Sequence, residues 1–233
     1  MSDRLFIAIP CYNRRDIAEQ CIPTVYAGKE PEDRLTIYDD GSQEPMVHSA
    51  ALMHACDDML ATDSMGVDAQ RRMHFMDFIR QPEFTHLYLT DSDSPHSPNW
   101  RKAALSLQAE HKAPVCLYRT ATHANYTNNV FRDDPAESVL WQRFAPGVSY
   151  LLTREMVERV VKVMPDKWSW DWFVPGALGY CMAISRISYC DHIGRSGMHD
   201  PEKGVGPERA VNPTPWLAHK RQEILWKLGL KDA

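Results

Sequence analysis

Two carboxylates stand two positions apart in Asp91-Ser92-Asp93, directly after the apolar run HLYLT at residues 86–90. On an extended segment such positions share a face, so both carboxylates can address one cation. Their oxygens suit Mg2+ or Mn2+, ions that offset the charge building on a departing diphosphate. The competing use, capping the helix that starts near Trp100, is disfavoured because Pro95 and Pro98 push that start too far from Asp91. A second centre is Trp168-Ser169-Trp170-Asp171-Trp172. Three indoles at alternate positions around one carboxylate describe an aromatic-walled pocket. Such faces suit sugar C–H surfaces, and a dry setting raises a carboxyl pKa toward that of a useful base. The alternative is a helix N-terminus, with Asp171 as its cap and the indoles in the core.

Strand-like and helix-like stretches alternate around these centres, which predicts an α/β sandwich with a mostly parallel sheet. Residues 5–9 (LFIAI) read as a strand buried on both faces, followed by Pro10-Cys11-Tyr12-Asn13. Asn13 is the expected cap of a helix from Arg14, which Pro23 should end or kink. Residues 35–38 form a second strand, broken by the turn Asp39-Asp40-Gly41-Ser42. Helices are expected over 47–60, 68–80, 100–111 and, capped by Thr153, from 154 on; further strands over 86–90, 115–118, 148–152 and 183–189. Residues 195–215 read as a long loop before a terminal helix over 216–228. Ligands of open α/β sheets bind beyond the carboxyl ends of the strands, where three polar clusters fall in order. Singly, each is a helix cap or polar turn; together they describe a site.

That ordered set carries a family resemblance. IAIPCYN at 7–13, TIYDDGS at 36–42, GVDAQR at 66–71 and LYLTDSD at 87–93 resemble the N-terminal half of the family 2-like GT-A glycosyltransferases. The resemblance covers residues 5–93 and thins afterwards. It implies a single GT-A domain, with a nucleotide-sugar-binding half over residues 1–93 and an acceptor-binding half over 94–233. Asp93 is then the direct metal ligand, and Asp91 with Ser92 faces the donor ribose or sugar. Asp40 accepts a hydrogen bond from the base N–H of a pyrimidine nucleotide, with Asp39 supporting the turn. Pro10, Tyr12 and Asn13 also line the donor, Tyr12 by stacking on its base. The resemblance tips Arg71 toward the donor rather than the solvent, although Arg72 stands where the family usually has Asn. Asp171 takes the place of the acidic motif that serves as base in inverting members, with Trp170 at that motif's first acidic position. Trp168, Trp170 and Trp172 then serve the acceptor. A histidine of the C-terminal part completes the metal shell in several such enzymes, which points to His199 ahead of His192.

Composition narrows the alternatives. The 233 residues carry 26 Lys+Arg against 31 Asp+Glu, so no basic field advertises a polyanionic partner. The 44% hydrophobic share suits a sizeable core and excludes disorder. No apolar run reaches membrane-spanning length, and the apolar stretch near the N-terminus is too short for a signal peptide. Six cysteines without a CxxC pair read as free, mostly buried thiols of a reducing cytoplasm. The reading is a metal-dependent inverting glycosyltransferase using Mn2+ or Mg2+ and a UDP-sugar. Its acceptor hydroxyl belongs to a glycan, protein, small molecule or modified DNA base. Nucleotidyltransferases open with a Gly-rich loop after strand one, and residues 10–15 hold no glycine. A binding module for carbohydrate or nucleotide needs neither Asp91 and Asp93 nor Asp171. The pairs Lys220-Arg221 and Arg101-Lys102 read as surface charge.

Overall fold

The computed structural model describes residues 3–126, 128–165, 170–194 and 209–230. Its elements run β1 (Leu5–Cys11), α1 (Arg15–Ala27), β2 (Arg34–Asp39), α2 (Ala50–Met53), β3 (Asp58–Ala61), α3 (Val67–Ile79), β4 (His86–Thr90) and α4 (Trp100–His111). They continue with β5 (Val115–Cys116), α5 (Ala121–Asn125), β6 (Val130–Arg132), β7 (Val139–Gln142), β8 (Ser149–Thr153), α6 (Arg154–Val163), α7 (Trp170–Ala177), β9 (Met182–Ser185) and α8 (Pro215–Lys227). The nine strands among the described residues form one sheet in the order β3-β2-β1-β4-β8-β5-β9-β7-β6.

The first ninety residues supply the parallel run β3-β2-β1-β4. Its strands β1, β2 and β4 are buried along almost their whole length, as continuous apolar runs between two helical layers must be. Parallel alignment brings the C-terminal ends of β1, β2 and β4 to one edge, with Cys11 paired to Asp39 and Thr90 ending β4 on the same side. β8 then enters antiparallel to β4, with Tyr88 opposite Leu151. Beyond it, β5 and β9 are parallel to each other, and β7 and β6 close the far edge antiparallel.

Several sequence expectations change locally. Residues 47–60 are not one helix; a single turn of 3-10 helix at Met46–His48, the short α2 and the edge strand β3 replace it. Helix α1 runs on through Pro23. Asn13 does not cap it: Asn13 and Arg14 are both left-handed, with φ of 55° and 52°, and Arg14 occupies the cap position without a side-chain bond. The Asn13 side chain accepts from the Gln43 amide instead (3.0 Å), and its own amide donates to Ser42 Oγ (2.8 Å). Thr153 does cap α6, accepting from the Met156 amide at 3.3 Å. Two arginines read as surface charge are structural. Arg101 pairs with buried Asp33, and Arg221 is buried against Asp191 at 2.9 Å. All six cysteines are free. Among the described residues, no helix is long and apolar enough to cross a membrane.

Candidate active site

The strand ends open into a cleft of about 400 Å³, within the range of small-ligand sites. Its lining includes Pro10, Tyr12, Asp40, Asp91, Ser92 and Asp93, all anticipated from the sequence. Arg14, Gln70 and His192 also line it.

Asp39 and Asp40 build the wall beyond β2. The Asp39 carboxylate accepts from the Ser42 and Met46 amides at 3.0 and 2.9 Å, so it holds the turn, as expected. Asp40 accepts from the Met65 and Gly66 amides, both at 2.8 Å, and from Thr62 Oγ1 at 3.2 Å. Gly66 has φ of 85°, a conformation that favours glycine and turns this loop toward Asp40 before α3 begins. Asp40 therefore anchors one rim of the cleft as well as facing it.

The acidic pair lies at the floor. Asp91, Asp93 and His192 each offer a ligand atom, and these atoms lie within 4.8 Å of one another. His192 reaches Asp93 Oδ1 at 3.2 Å, and Arg14 Nη1 reaches Asp93 Oδ2 at 3.0 Å. Burial opposes the charge on Asp93, but His192 and Arg14 outweigh it and hold the carboxyl below its ordinary range. Burial likewise opposes charge on His192, yet Asp93 lifts its pKa to about 9. Asp91 shifts upward through burial, against the pull of Arg71. Gly194 leaves room for this cluster, since a Cβ there would collide with Asp93 Oδ2 and stand 2.8 Å from Arg14 Nη1. Two carboxylates and an imidazole at this spacing fit an octahedral Mn2+ or Mg2+ better than a soft metal. Among the described residues, His192 is the histidine brought to the pair; His199 lies outside them.

Arg71 departs from its expected place. It is 1% exposed, its Nη2 donates to Asp91 Oδ1 at 2.5 Å, and its guanidinium lies 4.4 Å from the Trp170 ring. It is held on Asp91 and is not among the residues that line the cleft. Arg72, the departure from the family pattern, donates to the Pro165 carbonyl and ties α3 to the second half.

The tryptophan run is helical from Trp170 onward, which overturns the alternate-position pocket. On a helix, residues two apart point to nearly opposite sides. Trp170 is buried between Arg71 and Tyr150. Trp172 is 55% exposed and packs on Phe144 at 4.5 Å. Trp168 lies outside the described residues. Asp171 occupies the first turn of α7, half-buried, and burial raises its pKa. Trp170→Ala should therefore cost about 3–5 kcal/mol of stability, the range for deleting a buried large aromatic, while Trp172→Ala leaves the melting temperature nearly unchanged. Thermal denaturation of the two variants checks this.

Sequence reasoning missed Arg14 and Gln70. The only available signal for Arg14 was a basic residue immediately after a strand-end cluster.

No protein-family model matches the chain, and no curated protein sequence does. Solved structures do. S. aureus TarS 1–349 in complex with UDP-GlcNAc is 16% identical with a TM-score of 0.62, over 88% of this chain and 62% of that one. The mannosyltransferase PcManGT from Pyrobaculum calidifontis, in complex with GDP-Man and Mn2+, is 16% identical with a TM-score of 0.57, over 98% of this chain and 71% of that one. The chain spans 60–62% of the length of the TarS 1–349 fragment. It shares with these proteins the GT-A fold, an α/β sandwich that brings the ends of β1, β2 and β4 together over one cleft.

Proposed function

We propose that the chain is a metal-dependent glycosyltransferase that moves a sugar from a nucleotide diphosphate sugar to an acceptor hydroxyl with inversion. The observation that carries this reading is the convergence of Asp91, Asp93 and His192 on one point at the floor of the strand-end cleft. The structural neighbours bind UDP-GlcNAc in one case and GDP-Man with Mn2+ in the other, which supports the same ligand class here.

Asp93 and His192, with Asp91 beside them, would hold Mn2+ or Mg2+; when bound, such an ion neutralises charge developing on the diphosphate. Tyr12 lines the cleft instead of packing in the core, which suits stacking on the base. Asp40 Oδ2 has a lone pair left after its loop bond, enough to accept the N–H of a uracil. Asp171, with its raised pKa, takes the proton of the acceptor hydroxyl as the oxygen attacks the anomeric carbon opposite the leaving diphosphate. The exposed face of Trp172 beside it suits the C–H surface of an acceptor sugar.

Thermal-shift measurements with UDP, GDP, ADP and CDP, each with and without Mn2+, test the reading. Binding raises apparent stability by mass action, and the expected result is a metal-dependent shift largest with UDP. No shift with any nucleotide would overturn it. Slow Mn2+-dependent release of UDP from a UDP-sugar would exclude a binding module.

Asp40→Ala should weaken UDP affinity about 5- to 100-fold, equivalent to roughly 1–3 kcal/mol for a buried partner left unpaired. Calorimetry with UDP and with pyrophosphate separates the two duties of Asp40. A loss confined to UDP marks base recognition; an equal loss for both marks only the collapse of the 62–66 rim.

A further inference from the structure

The acidic floor of the cleft is already neutralised by the protein's own cations, and these differ in how firmly they are held. Arg71 on Asp91 is buried under Trp170. His192 lies 3.2 Å from Asp93 Oδ1 on a backbone tied by Asp191, which accepts the His192 amide and pairs with Arg221. Arg14 is different. Its side chain is 36% exposed, and Asp93 Oδ2 is the one ion-pair partner recorded for it among the described residues. Two consecutive left-handed residues, Asn13 and Arg14, turn it into the site in place of running on along α1. Left-handed backbone is costly for residues with a Cβ and persists where the surroundings impose it. Arg14 also borders a second, open depression of about 480 Å³ with Arg15, Gln43 and Glu44, so its long side chain has room to leave Asp93.

A divalent ion on Asp93 must come within a little over 2 Å of a carboxylate oxygen. A guanidinium hydrogen-bonded to that carboxylate competes with it for the same charge. We propose that Arg14 is a resident counter-cation, displaced from Asp93 by the incoming metal and then captured by the donor diphosphate. The inference rests on reading the cleft as a nucleotide-sugar site. Arg14 borders the cleft and is a planar fork donor, which matches phosphate oxygens in pairs. In the exchange a dication replaces the monovalent arginine on the carboxylates, and the arginine carries its positive charge to the diphosphate. It makes metal and nucleotide binding reciprocally favourable, because each removes the obstacle to the other. It also keeps two neighbouring carboxylates compensated between turnovers.

The test is Mn2+ binding by calorimetry to the wild-type protein, Arg14→Gln and Arg14→Lys, each with and without UDP. Without nucleotide, Arg14→Gln should bind Mn2+ about tenfold tighter than wild type, and Arg14→Lys should stay near wild type because the counter-cation is retained. With UDP, the strengthening of Mn2+ binding seen in wild type should shrink at least severalfold in Arg14→Gln. Unchanged or weaker Mn2+ binding by nucleotide-free Arg14→Gln overturns the proposal, as does failure of both proteins to bind Mn2+. The nucleotide-free arm decides the role of Arg14 at Asp93 alone. Failure of UDP to bind wild type in the presence of Mn2+ counts against the glycosyltransferase reading instead.

Discussion

Asp93→Ala should abolish sugar transfer and remove the metal dependence of nucleotide binding, the largest effect expected of any single substitution here. The reason is geometric. Asp93 is 2% exposed and is the one carboxylate met by both Arg14 and His192, so it is the hub of the candidate ligand set. Without it, Arg14 and His192 lose the carboxylate they share, and Asp91, already paired with Arg71, is the one carboxylate left in the set. A metal that stabilises a leaving diphosphate contributes several kcal/mol to the transition state, so turnover should fall by about 10³-fold or more. Asp93→Asn keeps the size of the side chain and separates lost charge from lost packing. Both variants should bind UDP equally with and without Mn2+ in calorimetry. Metal-dependent binding at wild-type strength in either would remove Asp93 from the metal site.

Asp171→Asn should lower turnover by about 10²-fold or more while leaving nucleotide affinity and melting temperature near wild type. A general base acts only in the transition state, so its loss appears in kcat and not in donor binding. Asparagine keeps the shape of the side chain and an oxygen to accept from the Asp171 and Trp172 amides at the start of α7. The pH dependence gives a second readout. The base works ionised, and burial raises its pKa above the ordinary 3.8, so wild-type kcat should fall as the pH drops through that raised value. The Asn variant should lack this acidic limb. Asp191 is no substitute, because Arg221 and two backbone amides already engage its carboxylate. Turnover at the wild-type rate would show that the proton leaves by another route.

The N-terminal half was readable because its chemistry is local. A strand such as 86–90 announces itself by its Leu-Tyr-Leu centre, and Asp91-Ser92-Asp93 follows with no intervening element. Strand β1, helix α4 and the turn-holding role of Asp39 were legible for the same reason. What escaped depended on partners far along the chain. The burial of Arg71 follows from Trp170, ninety-nine positions away, and no charge pattern around Arg71 discloses it. His192 meets Asp93 across a similar distance. Asn13 has the side chain of a helix cap, but a bond to the Gln43 amide outcompetes that use. The tryptophan run misled through its period. Alternation suits a strand, and residues 170–177 form a helix.

The position of β8 bears on how the chain is made. Strand β4 is paired by β1 on one side, and its other side is covered only by Ser149–Thr153, about sixty residues later. At ordinary ribosomal speeds of 5–20 residues per second, that interval is roughly 3–12 s. Throughout it, the buried sequence HLYLT presents an unpaired edge, the kind of surface that recruits strands from other chains. The late antiparallel pairing of β8 therefore leaves the nascent N-terminal half sticky at the strand that leads into Asp91 and Asp93. Yield of active protein in a cell should consequently depend on chaperone supply and synthesis temperature more than the stability of the finished fold suggests.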